Sequence, residues 1–132
     1  MYEPEIAFNT LVGRTLVRVE GMHAGSDVVR FTTDTGETFE LYHRQNCCES
    51  VRLNDVNVVG ADDALVGSPI VEADVRTNSD DPPRTEWNKS WTWTFYRLAT
   101  ARGTVTLRWL GESNGYYSEG VSFVQITPRS QK

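Results

Sequence analysis

The sequence predicts an all-β fold of about eight antiparallel strands in a sandwich or flattened barrel, with one short helix near residues 61–66. Three observations predict it. Residues 28–33 and 37–42 are β-branched and aromatic runs joined by Asp34-Thr35-Gly36, a loop whose closing glycine suits a type I turn with a bulge. Trp91-Thr92-Trp93-Thr94-Phe95-Tyr96 alternates aromatic residues with threonine, which on a strand puts Trp91, Trp93 and Phe95 on one face. Short segments of period two recur along the chain between glycines and prolines, and there are no internal repeats.

In chain order, residues 1–10 show no period and lead to a first strand over 15–20. Residues 21–26 turn about Gly25. In the hairpin, pairing Thr33 with Glu37 sets Phe31 against Phe39 and Val29 against Leu41. It also sets Arg30 against Glu40 and Val28 against Tyr42 on the other face. Apolar pairs fall on one side and an ion pair on the other, so the register is self-consistent. Continued one residue beyond Val28 and Tyr42, it puts Asp27 opposite His43.

Residues 50–56 alternate as a strand. Residues 60–67 hold the one helical candidate, with Asp62 and Asp63 in its first turn and Gly67 and Pro69 as stops. Residues 70–75 read as a strand, and 77–89, which contain Asp80-Asp81-Pro82-Pro83, as the longest loop. After the 91–96 strand, Ala101-Arg102-Gly103 turns the chain into a strand over 104–109, with Phe95 against Trp109 and Ala99 against Val105. The last strand covers 120–126. One domain, 1–132, is expected, with its core over about 10–126 and a flexible tail over 128–132.

A chain of 132 residues is long enough to bury a core without disulfide or metal support. Its formal net charge of −5 argues against a partner made of DNA or RNA, whose phosphates call for a basic face. No apolar run approaches the roughly 20 residues of a membrane span, and the first residues lack the basic and apolar regions of a signal peptide. A cytoplasmic protein with no membrane association is expected. The two cysteines are neighbours, so they staple no long loop, and in a reducing compartment both are expected as thiols.

Chemistry-bearing residues concentrate in two stretches. The first is His43-Arg44-Gln45-Asn46-Cys47-Cys48-Glu49-Ser50. Zinc fails on spacing, because structural sites use C-x₂₋₄-C and adjacent cysteines on an extended backbone point to opposite sides. A cysteine nucleophile fails on layout, because known cysteine hydrolases draw their partners from distant segments. A structural reading makes one thiol a small core hydrophobe and has His43 donate to Asp27. A binding reading has Asn46, Glu49 and Ser50 offer hydrogen bonds while His43 and Arg44 meet an anion.

The second stretch is Gly111-Glu112-Ser113-Asn114-Gly115-Tyr116-Tyr117-Ser118-Glu119. Asn114-Gly115 is a strong hairpin signal. A plain two-residue loop, however, would pair Leu107 with Ser122 and Trp109 with Gly120, wasting the apolar face. A bulge or longer loop near Gly111 or Gly120 is therefore expected, pairing Leu107 with Val121 or Phe123 and re-aiming Glu112, Asn114, Tyr116, Tyr117 and Glu119. The paired tyrosines suit stacking on a base or filling a partner's pocket. They serve equally as strand formers.

Both stretches, together with Leu65-Val66-Gly67-Ser68-Pro69-Ile70 and Trp91-Thr92-Trp93-Thr94-Phe95-Tyr96, resemble a family of short phage and prophage proteins, an uncharacterised domain of unknown function. The resemblance covers residues 10–126, and the family pattern carries an acid where this chain has Asn46. It implies a small phage accessory protein made in the host cytoplasm, and no activity or cofactor comes with it. The expected function is non-enzymatic binding of a small nucleotide-like signal, countering host antiviral defence. The ligand-binding set is His43, Arg44, Asn46, Glu49, Glu112, Asn114, Tyr116, Tyr117 and Glu119, with a homo-oligomer carrying the site at a subunit interface as one form of the reading. Alternatives are a protein inhibitor of a host defence effector through Tyr116-Tyr117 and Asp80-Asp81, a thiol- or metal-dependent hydrolase using His43, Cys47 or Cys48 and Glu49, and a virion component.

Overall fold

The computed structural model describes residues 3–80 and 90–126. The expected tail, and residues 81–89 of the expected long loop, lie outside the described residues. Eight strands form: β1 (Leu16–Glu20), β2 (Val28–Thr33), β3 (Thr38–Tyr42), β4 (Ser50–Gly60), β5 (Glu72–Asn78), β6 (Ser90–Thr100), β7 (Gly103–Ser113) and β8 (Ser122–Ile126). They make two four-stranded antiparallel sheets, ordered β1-β2-β3-β8 and β4-β7-β6-β5, so the fold is a sandwich and not a closed barrel. No helix among the described residues is long and apolar enough to cross a membrane.

The first sheet grows from the 28–42 hairpin. Its pairing is the expected one, with Val28 opposite Tyr42, Val29 opposite Leu41, Arg30 opposite Glu40 and Phe31 opposite Phe39. Thr33 N–H donates to the Glu37 carbonyl at 2.9 Å, and Gly36 takes φ +88°, which only glycine adopts without strain there. The apolar set Val29, Phe31, Phe39 and Leu41 is fully buried, while Arg30 and Glu40 pair at 2.6 Å on the solvent side. The Phe39 ring stacks on Phe123, centroids 5.6 Å apart, which seats β8 beside β3.

In the second sheet β5, β6 and β7 form a meander and β4 lies beyond β7, a Greek-key order. Here the expected β6–β7 register is corrected by one residue. Thr100 pairs with Gly103 across the two-residue turn Ala101-Arg102, so Phe95 stands opposite Arg108 and Ala99 opposite Thr104. Gly103 continues the strand instead of forming a bulge. A shift of one residue exchanges faces: Tyr96, Leu98, Leu107 and Trp109 enter the core, and the face shared by Trp91, Trp93 and Phe95 is the outer one, with the Arg108 guanidinium 4.9 Å over the Trp93 ring.

The helix expected near 61–66 is absent. Ala64 N–H reaches the Ala61 carbonyl and Val66 N–H the Asp63 carbonyl, giving successive turns. Val66 then bridges to Leu16, and Gly67 N–H donates to the Leu16 carbonyl. The chain is drawn back to β1 before a helical turn can propagate. The one helical element among the described residues is a 3₁₀ turn at Phe8–Leu11, which buries Phe8 and Leu11.

The expected β7–β8 pairing also fails. β8 joins the other sheet, beside β3, so residues 114–121 cross from sheet to sheet. Residues 43–49 do the same between β3 and β4. Tyr42 is paired with Ser122, and Ser50 with Glu112. The two sheet registers therefore place both crossings side by side at one end of the sandwich.

Candidate functional site

β3 stops at Tyr42 because the chain leaves its sheet there, and His43 turns into the crossing instead of facing Asp27 as expected. The His43 side chain is 3% exposed and that of Glu49 is 0% exposed, with Nε2 2.6 Å from a Glu49 carboxylate oxygen. Nδ1 lies 2.7 Å from the Gly120 carbonyl oxygen. Both ring nitrogens thus face oxygen atoms, one of a carboxylate and one of a backbone carbonyl. Glu49 also accepts the backbone N–H of Asn46 at 2.8 Å and of Cys47 at 2.9 Å. Gln45 Nε2 donates to the Glu49 carbonyl at 2.6 Å. Burial opposes ionisation of the Glu49 carboxyl, but the His43 bond and the Cys47 and Asn46 amides outweigh it and hold the group at about 2.

The crossing over 114–121 has its own hydrogen-bonded frame. Tyr116 N–H donates to Asn114 Oδ1 at 3.1 Å, an Asx turn, and Gly115 N–H donates to Ser113 Oγ at 2.9 Å. Glu119 folds back under the loop, accepting from Thr92 Oγ1 at 2.8 Å and from Ser113 Oγ at 2.5 Å. Gly111 makes room for this fold, because a Cβ there would lie 2.3 Å from the Glu119 carbonyl oxygen.

The structure brings some of the predicted residues together and separates others. His43, Arg44, Ser118, Gly120 and Ser122, with Glu5, line a depression of about 260 Å³ where the two crossings meet. Arg44 hydrogen-bonds the Glu3 carbonyl and the Tyr42 hydroxyl and lies 3.8 Å from Glu5. Glu49 is spent inside its own loop. Asn46 and Asn114 are exposed and do not line the depression. Glu112 is buried on the face of β7 opposite Trp109, 3.6 Å from Arg52. Tyr116 is 87% exposed and Tyr117 half-buried. Glu5, Gln45, Thr92 and the Gly120 carbonyl were not anticipated. Residues 1–10 carry no periodic pattern, and a backbone carbonyl leaves no mark in a sequence.

The family model described as Domain of unknown function (DUF7448) matches residues 9–123. The chain belongs to the DUF7448 family. The match runs from the 3₁₀ turn into β8, so both crossings lie within the DUF7448 region. No curated protein and no solved structure matches the chain.

In this DUF7448 chain Cys47 and Cys48 are bonded to each other, which corrects the expectation of two thiols on opposite sides. Residues 47 and 48 lie in a bend, not an extended strand, so strand alternation does not apply to them. A bond between neighbours removes almost no loop entropy from the unfolded chain. Reduction is therefore expected to expose two alkylatable thiols in the folded protein while moving the thermal midpoint by less than about 2 °C. Mass spectrometry after iodoacetamide, paired with a melt, checks this, and a larger drop would give the pair a structural weight that its spacing does not.

Proposed function

We propose that this chain is a non-enzymatic binding protein of phage origin, acting in the host cytoplasm against antiviral defence by holding a small nucleotide-like signal where the two crossings meet. The observation that carries the reading is the contact of His43 with Gly120, which joins two polar stretches 77 residues apart in sequence around one depression. Binding is favoured over turnover because His43 has both nitrogens engaged. Arg44 supplies a cation for a phosphate, and the exposed Tyr116 with its neighbour Tyr117 supplies flat surface for a base. Phage origin and the defence setting rest on the motif resemblance.

Isothermal titration against cyclic nucleotides and ADP-ribose-type nucleotides tests the proposal. Heat is expected for at least one, with Arg44→Ala and Tyr116→Ala each weakening it about tenfold or more. Neither heat nor a thermal shift for any member of the panel would sink the nucleotide reading. A second reading, direct inhibition of a host protein, is favoured by the 87% exposure of Tyr116. In that case a pull-down from host lysate loses its partner on Tyr116→Ala with Tyr117→Ala, and an unchanged partner list counts against it.

A further inference from the structure

A second cavity of about 330 Å³ shares Glu5, Gly120 and Val121 with the depression above but has different chemistry. It opens where the segment ahead of the 3₁₀ turn leaves β8: Glu5 bridges to Val124, and Ile6 N–H donates to the Phe123 carbonyl at 2.9 Å. Phe8 then swings across to meet the Tyr96 ring at 4.7 Å. The apolar walls are Ile6, Phe8, Val75, Tyr96, Val121 and Phe123. The volume sits at the small end of the range for small-molecule sites, about 300–1,000 Å³.

The polar side of the cavity is made by Thr77, Thr92, Thr94 and Glu5. Thr92 and Thr94 reach it from successive inward positions of β6. Thr92 spends its hydrogen on Glu119, 2.8 Å away, so its oxygen offers only lone pairs. Tyr96 spends its hydrogen on the Val121 carbonyl at 3.3 Å. Thr94 is 3% exposed and its Oγ1 has no hydrogen-bond partner. Buried hydroxyls are almost always satisfied, so an orphan that lines a cavity points to a group the cavity is built to receive. Glu5 adds a carboxylate to the lining, and neither lysine nor arginine lines the cavity.

We propose that this cavity is a binding site for a small apolar amine, its hydrocarbon or aromatic body between Phe8, Val75 and Val121 and its N–H groups donating to Thr94 Oγ1 and Thr92 Oγ1. A carboxylate or phosphate of the same size is disfavoured, because its charge meets the Glu5 carboxylate with no lysine or arginine in the lining to offset it. The site is separate from the nucleotide reading, whose tests act on Arg44 and Tyr116.

The test titrates the folded chain with phenethylamine, 2-phenylethanol and 3-phenylpropionate while amide resonances are followed by NMR. Phenethylamine is expected to shift the amides of Thr92, Thr94 and Val121 in a saturable way. The alcohol should bind at least threefold more weakly, and the carboxylate should leave these resonances unmoved. Thr94→Val keeps the shape and removes the hydroxyl; it should weaken phenethylamine at least fivefold without lowering the thermal midpoint, since the orphan group is lost with no bond broken. Equal binding of amine and carboxylate overturns the proposal. So does unchanged amine affinity in Thr94→Val, or a marked drop in its midpoint, which would assign the hydroxyl a purely structural partner.

Discussion

Glu49→Gln is expected to lower the thermal midpoint by roughly 10 °C at neutral pH and to flatten the acid limb of the stability curve. The carboxylate accepts from three donors: the His43 imidazole and the Asn46 and Cys47 amides. Glutamine has one carbonyl oxygen and one NH₂, so at least one of those donors would face another donor inside a buried loop. The pH dependence follows from the direction of the shift. Burial alone would raise the Glu49 carboxyl, yet the hydrogen bonds to His43, Cys47 and Asn46 bring it from the ordinary 4.5 down to about 2. A depressed carboxyl contributes stability that is complete above the unfolded value and is lost as pH falls through the folded one. The wild-type midpoint should therefore be level from pH 7 to 5 and fall between about 4.5 and 2. Glu37 is also lowered, by its hydrogen bond with Arg14, so the variant keeps part of that slope. Parallel curves for wild type and Glu49→Gln across pH 5 to 2 would remove Glu49 from the linkage.

The same pair shows what the sequence could and could not reveal. Register in the 28–42 hairpin was legible because a three-residue loop and six side chains of fitting character over-determine it, and the structure reproduces it pair for pair. The eight strands were legible for the same reason, each carrying its own period and its own stops. The partner of His43 was not. Extending the hairpin register one residue names Asp27, and only the departure of the chain from the sheet at Tyr42 redirects the ring to Glu49. Glu49 reaches it through a tight loop held by backbone amides, which no side-chain pattern encodes. The one-residue error between β6 and β7 has a similar origin, since Ala101-Arg102-Gly103 fits a two- or a three-residue loop and the choice exchanges the faces of both strands. The second crossing left a usable trace. A plain Asn114-Gly115 hairpin wastes the apolar face of β7, and that mismatch arises because β8 pairs with β3.

Gly111→Ala is expected to uncouple the two crossings with one methyl group. Gly111 has no left-handed φ, so the objection to alanine is space, not conformation. The added Cβ would stand 2.3 Å from the Glu119 carbonyl oxygen, 2.7 Å from the Glu119 Cβ and 3.0 Å from its carbonyl carbon. These atoms are main chain or fixed to it, and no flexible side-chain end can yield. Residues 118–120 must lift. Lifting them stretches the Glu119 bonds to Thr92 and Ser113 and draws the Gly120 carbonyl off His43 Nδ1. Overpacking of this kind costs about 1–3 kcal/mol, so the midpoint should fall by roughly 5–10 °C, and amide exchange should rise across 114–121 and 43–49 together. Gly120→Ala is the matched control. Its Cβ would meet nothing nearer than Ser118 Oγ at 3.6 Å, and its φ is not left-handed, so it should be close to neutral. If Gly111→Ala raised exchange in 114–121 while leaving 43–49 protected, the His43–Gly120 contact would be incidental to both loops, and the depression between them would lose its claim to be a single site.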